Sequence, residues 1–551
     1  MIPINRTYAP LQAFVDELVR CGMTDAVTSP GARNAPIVLS IAAQPGVRAH
    51  SVVDERAAGF VALGLAKRSR RPVAITCTSG SAAANLMPAV VEAREAGVPL
   101  IVLTADRPPE LREVGAGQSI DQVKLYGSHA KWFVEVGNHE PSRTTAIHHR
   151  ALACRAYWTA LDGRPAPVHL NFPLRDPLAP VEEELDAETW EGRPDGAPWV
   201  RRGPATPPSP TPLEPAARGA IVAGAMPPGS PLPALAARLG WPLLADATSN
   251  LRCGPHERSA VIAHYDVLLR AERFCTEHRP DFVLRAGDLP TSKPLRTWLA
   301  GVPQWVMDPQ RTWQDPAHEA DLWLDAVEAA PGAEPADPAW LESWRRADAL
   351  VPAALAEVAD PFEPRVWTAA AEAAPAGSLL WVASSMPIRH VETFVPGGEK
   401  PLLFLANRGA NGIDGTVASA AGAALAHDGR TIVLLGDLAL LHDLGGVVAA
   451  QRLGAELTIV FANNGGGNIF DHLPLAAVAD PATFERHIVT PSEVDGEHVA
   501  ALAGMDYVRA ETPDAVRAAV EGGPALVEAP TDRARNVALQ RELFERVAAR
   551  L

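Results

Sequence analysis

Short apolar runs alternate with amphipathic segments over the first third of the chain. The runs are rich in β-branched residues and predict strands, and the segments between them have helical periodicity. The predicted strands are 25–28, 48–53, 73–77 and 100–104, and the predicted helices are 11–20, 57–68 and 82–96. Strands and helices that alternate in this way are typical of a doubly wound parallel sheet. Residues that follow parallel strands should therefore lie along one rim of this sheet.

The same alternation returns in the last third of the chain. Strands are predicted at 379–382, 402–405, 431–435, 457–462 and 525–528, followed by a terminal amphipathic helix. The middle of the chain contains four shorter apolar runs, at 220–223, 242–245, 282–285 and 305–307. A chain of 551 residues is long enough for about three domains. We therefore predict an α/β protein with three doubly wound parallel-sheet domains.

Two stretches rich in proline, glycine or charge separate the predicted domains. Residues 181–215 lack any periodicity and are predicted to be a linker, and residues 346–364 are predicted to be a second linker. The predicted domains are then 1–180, 216–345 and 365–551.

Composition and charge exclude several classes of protein. Hydrophobic residues make up 47% and charged residues 21% of the chain, as in ordinary globular proteins. No apolar run approaches the roughly 20 residues of a membrane span, and the first residues do not resemble a secretory signal. A formal net charge of -16 argues against a nucleic-acid or anionic-membrane surface. We therefore expect a cytoplasmic enzyme with no nucleic-acid partner and no membrane span.

Several familiar sequence signatures are absent. The five cysteines lie far apart without the spacing of a zinc site, and are interpreted as buried, reduced thiols. No dinucleotide fingerprint, P-loop, nucleophile elbow or zinc-protease helix occurs. Any chemistry must therefore come from other residues.

The most informative pair of polar residues lies in the last third of the chain. Asp437 follows the predicted strand 431–435, and Asn464 follows the next predicted strand. A right-handed βαβ crossover would make these strands parallel neighbours, so both side chains should reach the same end of the sheet. Together with a backbone carbonyl from the glycine run 465–467, they form an oxygen set that suits Mg²⁺ bound to a diphosphate. Either residue alone is explained more simply by a turn, and only the pair favours a metal site.

Four polar segments follow the N-terminal strands, at 29–34, 54–56, 78–81 and 105–110. Glu55 stands where a predicted helix begins, and by position alone it need only complement the helix dipole. The small apolar residues after it predict a buried helix, which makes Glu55 a candidate functional carboxylate. In the middle of the chain, Lys293 follows a predicted strand and opens a helix. It either faces an anion or is simply solvated.

The pairing of Gly436-Asp437 with Asn463-Asn464 resembles the thiamine diphosphate motif, with Leu438 where many members have glycine. Further segments resemble the 2-succinyl-5-enolpyruvyl-6-hydroxy-3-cyclohexene-1-carboxylate synthase family of menaquinone biosynthesis. They are Ser29-Pro30-Gly31 with Arg33, Asp54-Glu55-Arg56, residues 103–111 (LTADRPPEL), residues 407–415 (NRGANGIDG), and Asn468-Ile469-Phe470 with Leu473-Pro474. The resemblance implies the thiamine diphosphate enzyme fold: a pyrimidine-binding domain, a central domain and a diphosphate-binding domain.

The resemblance also implies a role for each matching residue. Glu55 would activate the aminopyrimidine ring, and the ligands of Mg²⁺, or alternatively Mn²⁺, would be Asp437, Asn464 and the carbonyl of Gly466. The other cofactor contacts would be Ser385, Ile413, Gly436, Ile469 and Phe470, with Ile413 as the apolar wedge that bends the cofactor. The substrate contacts would be Arg33, Arg107, Gln118, Lys293, Arg389, Arg408, Ile469, Phe470 and Leu473. Among these, Arg33, Gln118 and Arg389 are also candidate catalytic residues.

The implied reaction is the decarboxylation of 2-oxoglutarate followed by addition of the resulting four-carbon carbanion to isochorismate. Both substrates are dicarboxylates, which arginine side chains bind through paired hydrogen bonds. The pyrimidine and diphosphate domains of such enzymes pair across subunits. A homodimer or a dimer of dimers is therefore expected.

Three positions depart from the commonest residues of the family. Ala32 stands where many members have serine, Pro294 follows Lys293 where some members have arginine, and Gly465 replaces an asparagine in the metal loop. One alternative is another thiamine diphosphate enzyme, such as an acetolactate synthase or a 2-oxo acid decarboxylase. Another is a cofactor-binding regulatory protein without activity. The presence of both the metal pair and the arginine-containing segments favours the enzyme of menaquinone biosynthesis.

Overall fold

The structure is a computed structural model that describes residues 5–203, 206–358 and 361–551. These residues fall into two compact units. The first unit comprises the described part of 1–205 together with 407–428 and 443–456, and the second comprises the described part of 206–406 together with 429–442 and 457–551. No helix within the described residues is long and apolar enough to cross a membrane.

A parallel sheet with helices forms the N-terminal part of the first unit. Its strands are β1 (Asp25–Thr28), β2 (Arg48–Ser51), β3 (Val73–Cys77), β4 (Leu100–Asp106), β5 (Trp132–Glu135) and β6 (Val168–Pro173). Its helices are α1 (Tyr8–Cys21), α2 (Ala35–Ala42), α3 (Glu55–Ser69), α4 (Ser81–Asn85), α5 (Met87–Glu95) and α6 (Arg143–Leu161). The strand order is β2-β1-β3-β4-β6-β5, and every pairing is parallel. The four predicted strands are confirmed as consecutive neighbours, so the segments that follow them do share one rim.

Two strands of this sheet, β5 and β6, and a break in one of the predicted helices beside it were not predicted. Strand β6 contains His169 and Asn171, which are buried and bond to the hydroxyl of Thr104 at 2.8 and 2.7 Å. A strand with buried polar residues does not form an apolar run, and β5 has only four half-buried residues. The predicted helix 82–96 is two helices, α4 and α5, with a break at Leu86. Pro88, near the start of α5, has no backbone N–H to continue the first helix.

The middle of the chain forms a second parallel sheet, in the second unit. Its strands are β8 (Gly219–Ala223), β9 (Leu243–Ala245), β10 (Val261–Ile262), β11 (Phe282–Ala286), β12 (Gln304–Met307) and β13 (Ala320–Leu324), in the order β10-β9-β8-β11-β12-β13. A separate pair is formed by β7 (Thr211–Leu213) and β14 (Val327–Ala329). The helices are α7 (Leu232–Leu239), α8 (Tyr265–Leu268), α9 (Glu272–Glu277), α10 (Lys293–Leu299), α11 (Pro338–Asp348) and α12 (Leu350–Ala356).

Helices α11 and α12 pack on the core of the middle sheet through buried residues such as Trp344 and Val351. The segment 346–364, expected to be a linker, is thus largely helical before residue 358. The domain limits given above stay a prediction.

The last third forms a third parallel sheet, also in the second unit. Its strands are β15 (Ser378–Val382), β16 (Leu402–Leu405), β17 (Thr431–Gly436), β18 (Leu457–Asn463), β19 (Tyr507–Arg509) and β20 (Ala525–Pro530), in the order β16-β15-β17-β18-β20-β19. The helices in this region are α13 (Glu363–Ala373), α14 (Met386–Phe394), α15 (Thr416–Leu425), α16 (Asp437–His442), α17 (Leu444–Arg452), α18 (Pro481–Phe484), α19 (Gly496–Ala503), α20 (Pro513–Gly522) and α21 (Arg533–Arg550). The five predicted strands are confirmed, and β19, with three residues, was missed. The three parallel sheets with their helices confirm the predicted fold class.

Helices α15 and α17 belong to the first unit, although the strands before and after them belong to the second. Helix α15 packs directly on α3, where a Cβ atom on Gly64 would lie 1.8 Å from the carbonyl oxygen of Ser419. Only glycine allows this approach of the two backbones. The buried face of α3, which begins at Glu55, is therefore covered by a helix from the last third of the chain.

Candidate active site

Asp437 ends strand β17 and begins α16, and its side chain is 1% exposed. Its Oδ2 accepts a hydrogen bond from the hydroxyl of Ser492 at 2.8 Å, and its Oδ1 accepts one from the backbone N–H of Leu438 at 2.8 Å. Burial raises the pKa of this carboxyl, while Ser492 and nearby backbone N–H groups act in the opposite direction. Asp437 is therefore a buried carboxylate at the carboxyl end of β17, held in place by Ser492 and Leu438.

The loop after β18 lies against this carboxylate, as the sequence pattern predicted. Strand β18 pairs in parallel with β17, with Gly436 opposite Ala462. The backbone N–H groups of Gly465 and Gly466 are among the groups that lower the pKa of Asp437. The N–H of Gly466 also donates to Oδ1 of Asn464 at 3.2 Å. Asp437 and the loop that begins at Asn464 are therefore adjacent.

The backbone at Gly466 has a conformation that requires glycine. Its φ is +152°, and a Cβ atom there would lie 2.8 Å from a side-chain carbon of Val489 and 3.0 Å from its carbonyl oxygen. The next residue, Gly467, donates its N–H to that same oxygen at 2.8 Å. The loop is thus fixed against Val489 by a backbone hydrogen bond and by the lack of a side chain at Gly466.

The donor set at this end of the sheet fits a magnesium ion. It offers the carboxylate of Asp437, the side-chain oxygen of Asn464 and the backbone carbonyl of Gly466, which are all hard oxygen ligands. A magnesium ion that also binds a diphosphate needs only a few protein ligands of this type. The chemistry of these residues therefore agrees with the prediction, and their role as ligands is a proposal.

Glu363, at the start of α13, was not predicted and lies next to this loop. Its Oε1 accepts hydrogen bonds from Nδ2 of Asn464 at 2.8 Å and from Nδ2 of Asn536 at 3.0 Å. Burial raises its pKa to about 7, the hydrogen bonds from Asn464 and Thr531 oppose this rise, and the charge of Asp437 adds to it. In the sequence, Glu363 falls within the predicted linker 346–364, so no pattern distinguished it.

Three apolar residues expected at the cofactor and substrates follow the glycine loop. Ile469 and Phe470 lie in the 3₁₀ turn Asn468–His472 and are half-buried, and Leu473 is exposed. A Cβ atom on Gly467 would lie 2.6 Å from the ring of Phe470. The structure thus places Phe470 directly on the glycine loop, with Leu473 open to solvent.

Lys293 and Arg389 line one cleft of about 840 Å³ in the second unit. The other lining residues include Arg270, Arg279, Trp298 and His472. Arg389 lies on α14, and its guanidinium donates to the backbone oxygen of Ser385 at 2.5 Å. Ser385 precedes α14 with a φ of +73°, which is unusual for a serine. Lys293 is exposed within this basic cleft, and its role as an anion-binding residue stays a prediction.

A buried hydrogen-bond network joins the two helices that carry these cations. Oε1 of Glu392, on α14, accepts the hydroxyl of Tyr265 at 2.6 Å and the backbone N–H of Ser292 at 3.1 Å. The hydroxyl of Ser292 donates to Asp266 at 2.6 Å. Burial raises the pKa of Glu392 to about 8, assisted by nearby carboxylates. Because Ser292 immediately precedes Lys293, this network fixes the start of α10 against α14.

The N-terminal candidates form a second group of residues, in the first unit. Glu55 begins α3 and is half-buried, next to the capping residue Asp54. The side chain of Asp54 accepts the N–H of Arg56 at 2.9 Å and so caps the helix. Burial raises the pKa of the Cys77 thiol, and the charge of Glu55 contributes to this rise. Glu55 therefore lies near the end of β3, as its rim position predicted.

Arg33, Arg107 and Gln118 lie close together on the same rim. The guanidinium of Arg33 donates to the backbone oxygen of Leu174 at 2.8 Å, and that of Arg107 donates to Gly117 at 2.9 Å. Gln118 donates to the backbone oxygen of residue 79 at 3.0 Å. Burial and the neighbouring charge of Arg107 lower the pKa of Arg33, and its buried Nε has no hydrogen-bond partner within the described residues. Two adjacent cations with an unused donor suit an anionic ligand.

Arg408 and Ile413 belong to the loop before α15 and are half-buried. The loop is anchored in the first unit, because the backbone N–H groups of Gly409 and Ala410 donate to the carboxylate of Glu92 at 2.9 and 2.7 Å. The structure therefore brings Arg408 and Ile413 into the same unit as Glu55, and Asp437, Asn464, Lys293 and Arg389 into the other.

Three family models match successive segments of the chain. The N-terminal thiamine pyrophosphate binding domain matches residues 11–125, the middle domain of thiamine pyrophosphate enzymes matches 213–359, and the C-terminal thiamine pyrophosphate binding domain matches 393–529. With the three parallel sheets and the Asp437 site, these matches define a thiamine pyrophosphate enzyme.

Curated relatives are similar over nearly the whole chain. A 2-succinyl-5-enolpyruvyl-6-hydroxy-3-cyclohexene-1-carboxylate synthase of Thermobifida fusca (strain YX) is 44% identical, over 99% of this chain and 100% of the relative. Synthases of the same name from Geobacillus thermodenitrificans (strain NG80-2) and Myxococcus xanthus (strain DK1622) are each 42% identical, over 97% and 98% of this chain and 95% and 97% of the relatives. The chain belongs to the 2-succinyl-5-enolpyruvyl-6-hydroxy-3-cyclohexene-1-carboxylate synthase family. The resemblance seen in the sequence is thereby confirmed.

Proposed function

We propose that the protein is a thiamine diphosphate-dependent transferase of menaquinone biosynthesis. It decarboxylates 2-oxoglutarate and adds the remaining four-carbon unit to isochorismate, giving 2-succinyl-5-enolpyruvyl-6-hydroxy-3-cyclohexene-1-carboxylate and CO2. The observation that carries this proposal is the full-length similarity to synthases of that name. The same similarity favours this function over that of an acetolactate synthase, a 2-oxo acid decarboxylase or an inactive paralogue.

The end of the third sheet would hold the cofactor through its diphosphate. Asp437, Asn464 and the carbonyl of Gly466 would bind Mg²⁺, with Mn²⁺ as an alternative, and the glycine backbone would allow the diphosphate to approach. Bound thiamine diphosphate supplies the electron sink that makes loss of CO2 from a 2-oxo acid possible. Ser385, Gly436, Ile469 and Phe470 would line the rest of this cofactor site.

Glu55 and Ile413 would act on the other end of the cofactor. The carboxyl of Glu55 would hold a proton opposite the aminopyrimidine ring, and Ile413 would press on the cofactor from its apolar side. The residues of α3 that follow, from Ala57 to Ala66, are buried and hold the half-buried Glu55 at the start of a fixed helix, which supports this role. A half-buried carboxylate at a helix start can exchange a proton without moving its backbone.

The basic residues would bind the carboxylates of the two substrates. Arg33, Arg107 and Gln118 form one group, for which we propose isochorismate, and Arg389, Lys293 and Arg408 would bind the remaining carboxylates. Ile469, Phe470 and Leu473 would form an apolar wall. Paired hydrogen bonds from guanidinium groups fix both the position and the orientation of a carboxylate.

We propose that the active enzyme is a homodimer, alone or as a dimer of dimers. Each site would combine Glu55 of one chain with Asp437 of the partner subunit. Val53, two residues before Glu55, and Leu441, four residues after Asp437, are exposed apolar residues, which is consistent with a surface that another chain covers. We propose a cytoplasmic location. We also expect no nucleic-acid partner, since the net charge is -16.

The test is to incubate purified protein with thiamine diphosphate, Mg²⁺ and 2-oxoglutarate, with and without isochorismate, and to identify the product by mass. The adduct of both substrates should form only when all components are present. A parallel incubation with pyruvate alone tests for acetolactate. Formation of acetolactate, or of succinic semialdehyde at the same rate with and without isochorismate, would contradict the proposal.

A further inference from the structure

The structure brings together three metal-binding side chains that the sequence keeps apart. Glu17 and Cys21 lie one turn apart on α1, and Cys154 lies on α6. One ligand atom from each lies within 4.8 Å of the other two, and all three residues are buried. Of the residues that the structure describes, no other set of three cysteine, histidine or acidic side chains meets this condition.

The distances in this cluster match a tetrahedral zinc site. The two sulfur atoms are 3.7 Å apart, and the sulfur of Cys154 is 3.5 Å from Oε1 of Glu17. With Zn–S of about 2.3 Å and Zn–O of about 2.0 Å, tetrahedral angles place two sulfurs about 3.8 Å apart and a sulfur and an oxygen about 3.5 Å apart. Both of these distances thus match those between the corners of such a tetrahedron, and the ligand atoms of Cys21 and Glu17 lie within 4.8 Å of each other.

The surroundings of the cluster are suited to a metal with two thiolates. Arg150 donates to Oε2 of Glu17 at 2.7 Å and to Asp16 at 2.8 Å, which holds the carboxylate in place. Oε1 of Glu17 accepts the backbone N–H of Trp199 and is the oxygen that lies near the sulfur of Cys154. The backbone N–H of Val200 donates to the sulfur of Cys154 at 3.4 Å. Binding of Zn²⁺ with release of two thiol protons leaves the net charge of this buried region unchanged, so no uncompensated charge is buried.

We propose that Glu17, Cys21 and Cys154 bind a single Zn²⁺ ion that joins α1 to α6. Because these ligands are separate from the oxygen ligands proposed for Mg²⁺, the two ions belong to different sites. Zinc is favoured over Mg²⁺ here because thiolates are soft ligands. The role is structural, since the ion would cross-link two helices of the first unit.

The test uses the full-length protein, purified under reducing conditions. Metal analysis should find one zinc ion per chain. After zinc removal, titration with Cd²⁺ should produce the ultraviolet charge-transfer absorption of cadmium thiolates. Cys21→Ser and Cys154→Ser should each lose most of this absorption. Glu17→Gln should lower the affinity for the metal at least about tenfold, because even the loss of a residue that only orients a ligand commonly has an effect of this size. Cys275→Ser, which alters a cysteine outside the cluster, is the matched control and should keep the absorption.

Asp437→Ala should also keep the absorption, because oxygen ligands give no thiolate band. This variant separates the zinc proposal from the proposed function. A reduced protein with neither zinc nor a cadmium band would overturn the proposal, as would a band that survives in both cysteine variants. An isolated protein with a Cys21–Cys154 disulfide, seen as a mass lower by two hydrogens and abolished by reductant, would also overturn it if the reduced form binds no metal.

Discussion

The side-chain amide of Asn464 donates to Oε1 of Glu363 at 2.8 Å, and Glu363 accepts a second amide from Asn536 on the same oxygen. Because this contact uses the amide nitrogen of Asn464, the side-chain oxygen of Asn464 points the other way, where it accepts the N–H of Gly466. If Asn464 binds Mg²⁺ as proposed, Glu363 orients a metal ligand, and loss of such a residue commonly lowers metal affinity by about tenfold to a hundredfold.

Glu363→Gln should therefore weaken Mg²⁺-dependent binding of thiamine diphosphate by about tenfold to a hundredfold. The substitution introduces an N–H donor next to the amides of Asn464 and Asn536, which themselves donate to this side chain and need an acceptor there. Isothermal calorimetry of cofactor binding at several Mg²⁺ concentrations measures the effect. Glu521→Gln, on an exposed glutamate, is the control, and equal affinities in the two variants would show that Glu363 has no influence on the metal.

Glu55→Gln should retain the fold and the binding of cofactor but lose turnover by about a hundredfold or more, the usual contribution of a positioned acid or base. An amide cannot hold or release the proton opposite the aminopyrimidine ring. Steady-state rates, with calorimetry to confirm cofactor binding, provide the measurement. Turnover close to that of the wild type would remove Glu55 from the mechanism.

Mixed dimers test whether each site draws on two chains. Glu55→Gln and Asp437→Ala should each be inactive, but a mixed dimer contains one site with neither substitution. Mixing the two proteins under conditions of subunit exchange should therefore restore part of the activity. Exchange is verified with differently tagged chains, and exchange without recovery would place Glu55 and Asp437 of one chain in the same site.

Arg33→Ala and Arg107→Ala should raise the apparent KM for isochorismate more than that for 2-oxoglutarate. Loss of a charge-assisted hydrogen bond costs about 1.5 to 3 kcal/mol, or roughly tenfold to more than a hundredfold in affinity. The spectroscopic change on adding 2-oxoglutarate alone should persist, and circular dichroism or stopped-flow absorbance measures it. Its disappearance in Arg33→Ala, with fold and metal binding intact, would assign this rim to 2-oxoglutarate instead.

The carboxyl of Glu392 should make the free energy of unfolding decrease as the pH rises. Burial and nearby carboxylates raise its pKa from 4.5 to about 8 in the folded state, so the folded state binds a proton that the unfolded state releases. Its contribution to the unfolding free energy is complete below pH about 4.5 and is lost as the pH approaches about 8. Urea denaturation of Glu392→Gln should show a weaker decline in stability over this range than the wild type. The exposed Glu497→Gln should match the wild type, and equal declines in all three proteins would contradict the assignment.

The parallel-sheet fold and the Asp437 loop could be predicted because both depend on local patterns. A β-branched run marks a buried strand, and the end of a parallel strand determines where the next residue lies. Strand β6 was missed because its buried His169 and Asn171 are satisfied by Thr104 on β4, a long-range contact with no local signature.

The residues that support the site were missed for a similar reason. Glu363 and Glu392 are important because of burial and of partners about a hundred residues away along the chain, such as Asn464 and Ser292. Cys21 and Cys154 meet only after α1 and α6 have packed together. The cysteines do lack the sequence spacing of a known zinc motif. Sequence spacing, however, does not show which thiols the fold brings together.

The packing of α15 on α3 has a consequence for the order of events during synthesis. During synthesis, residues 1–205 are complete well before α15 and α17 have been made. The face of α3 that α15 covers is therefore uncovered until residues 416–452 have been added. The apolar surface of α3 is exposed during this interval, which makes it a natural target for chaperones and for association of nascent chains. A fragment that ends near residue 205 should aggregate, whereas the same fragment should become more soluble when residues 407–456 are supplied on a separate chain.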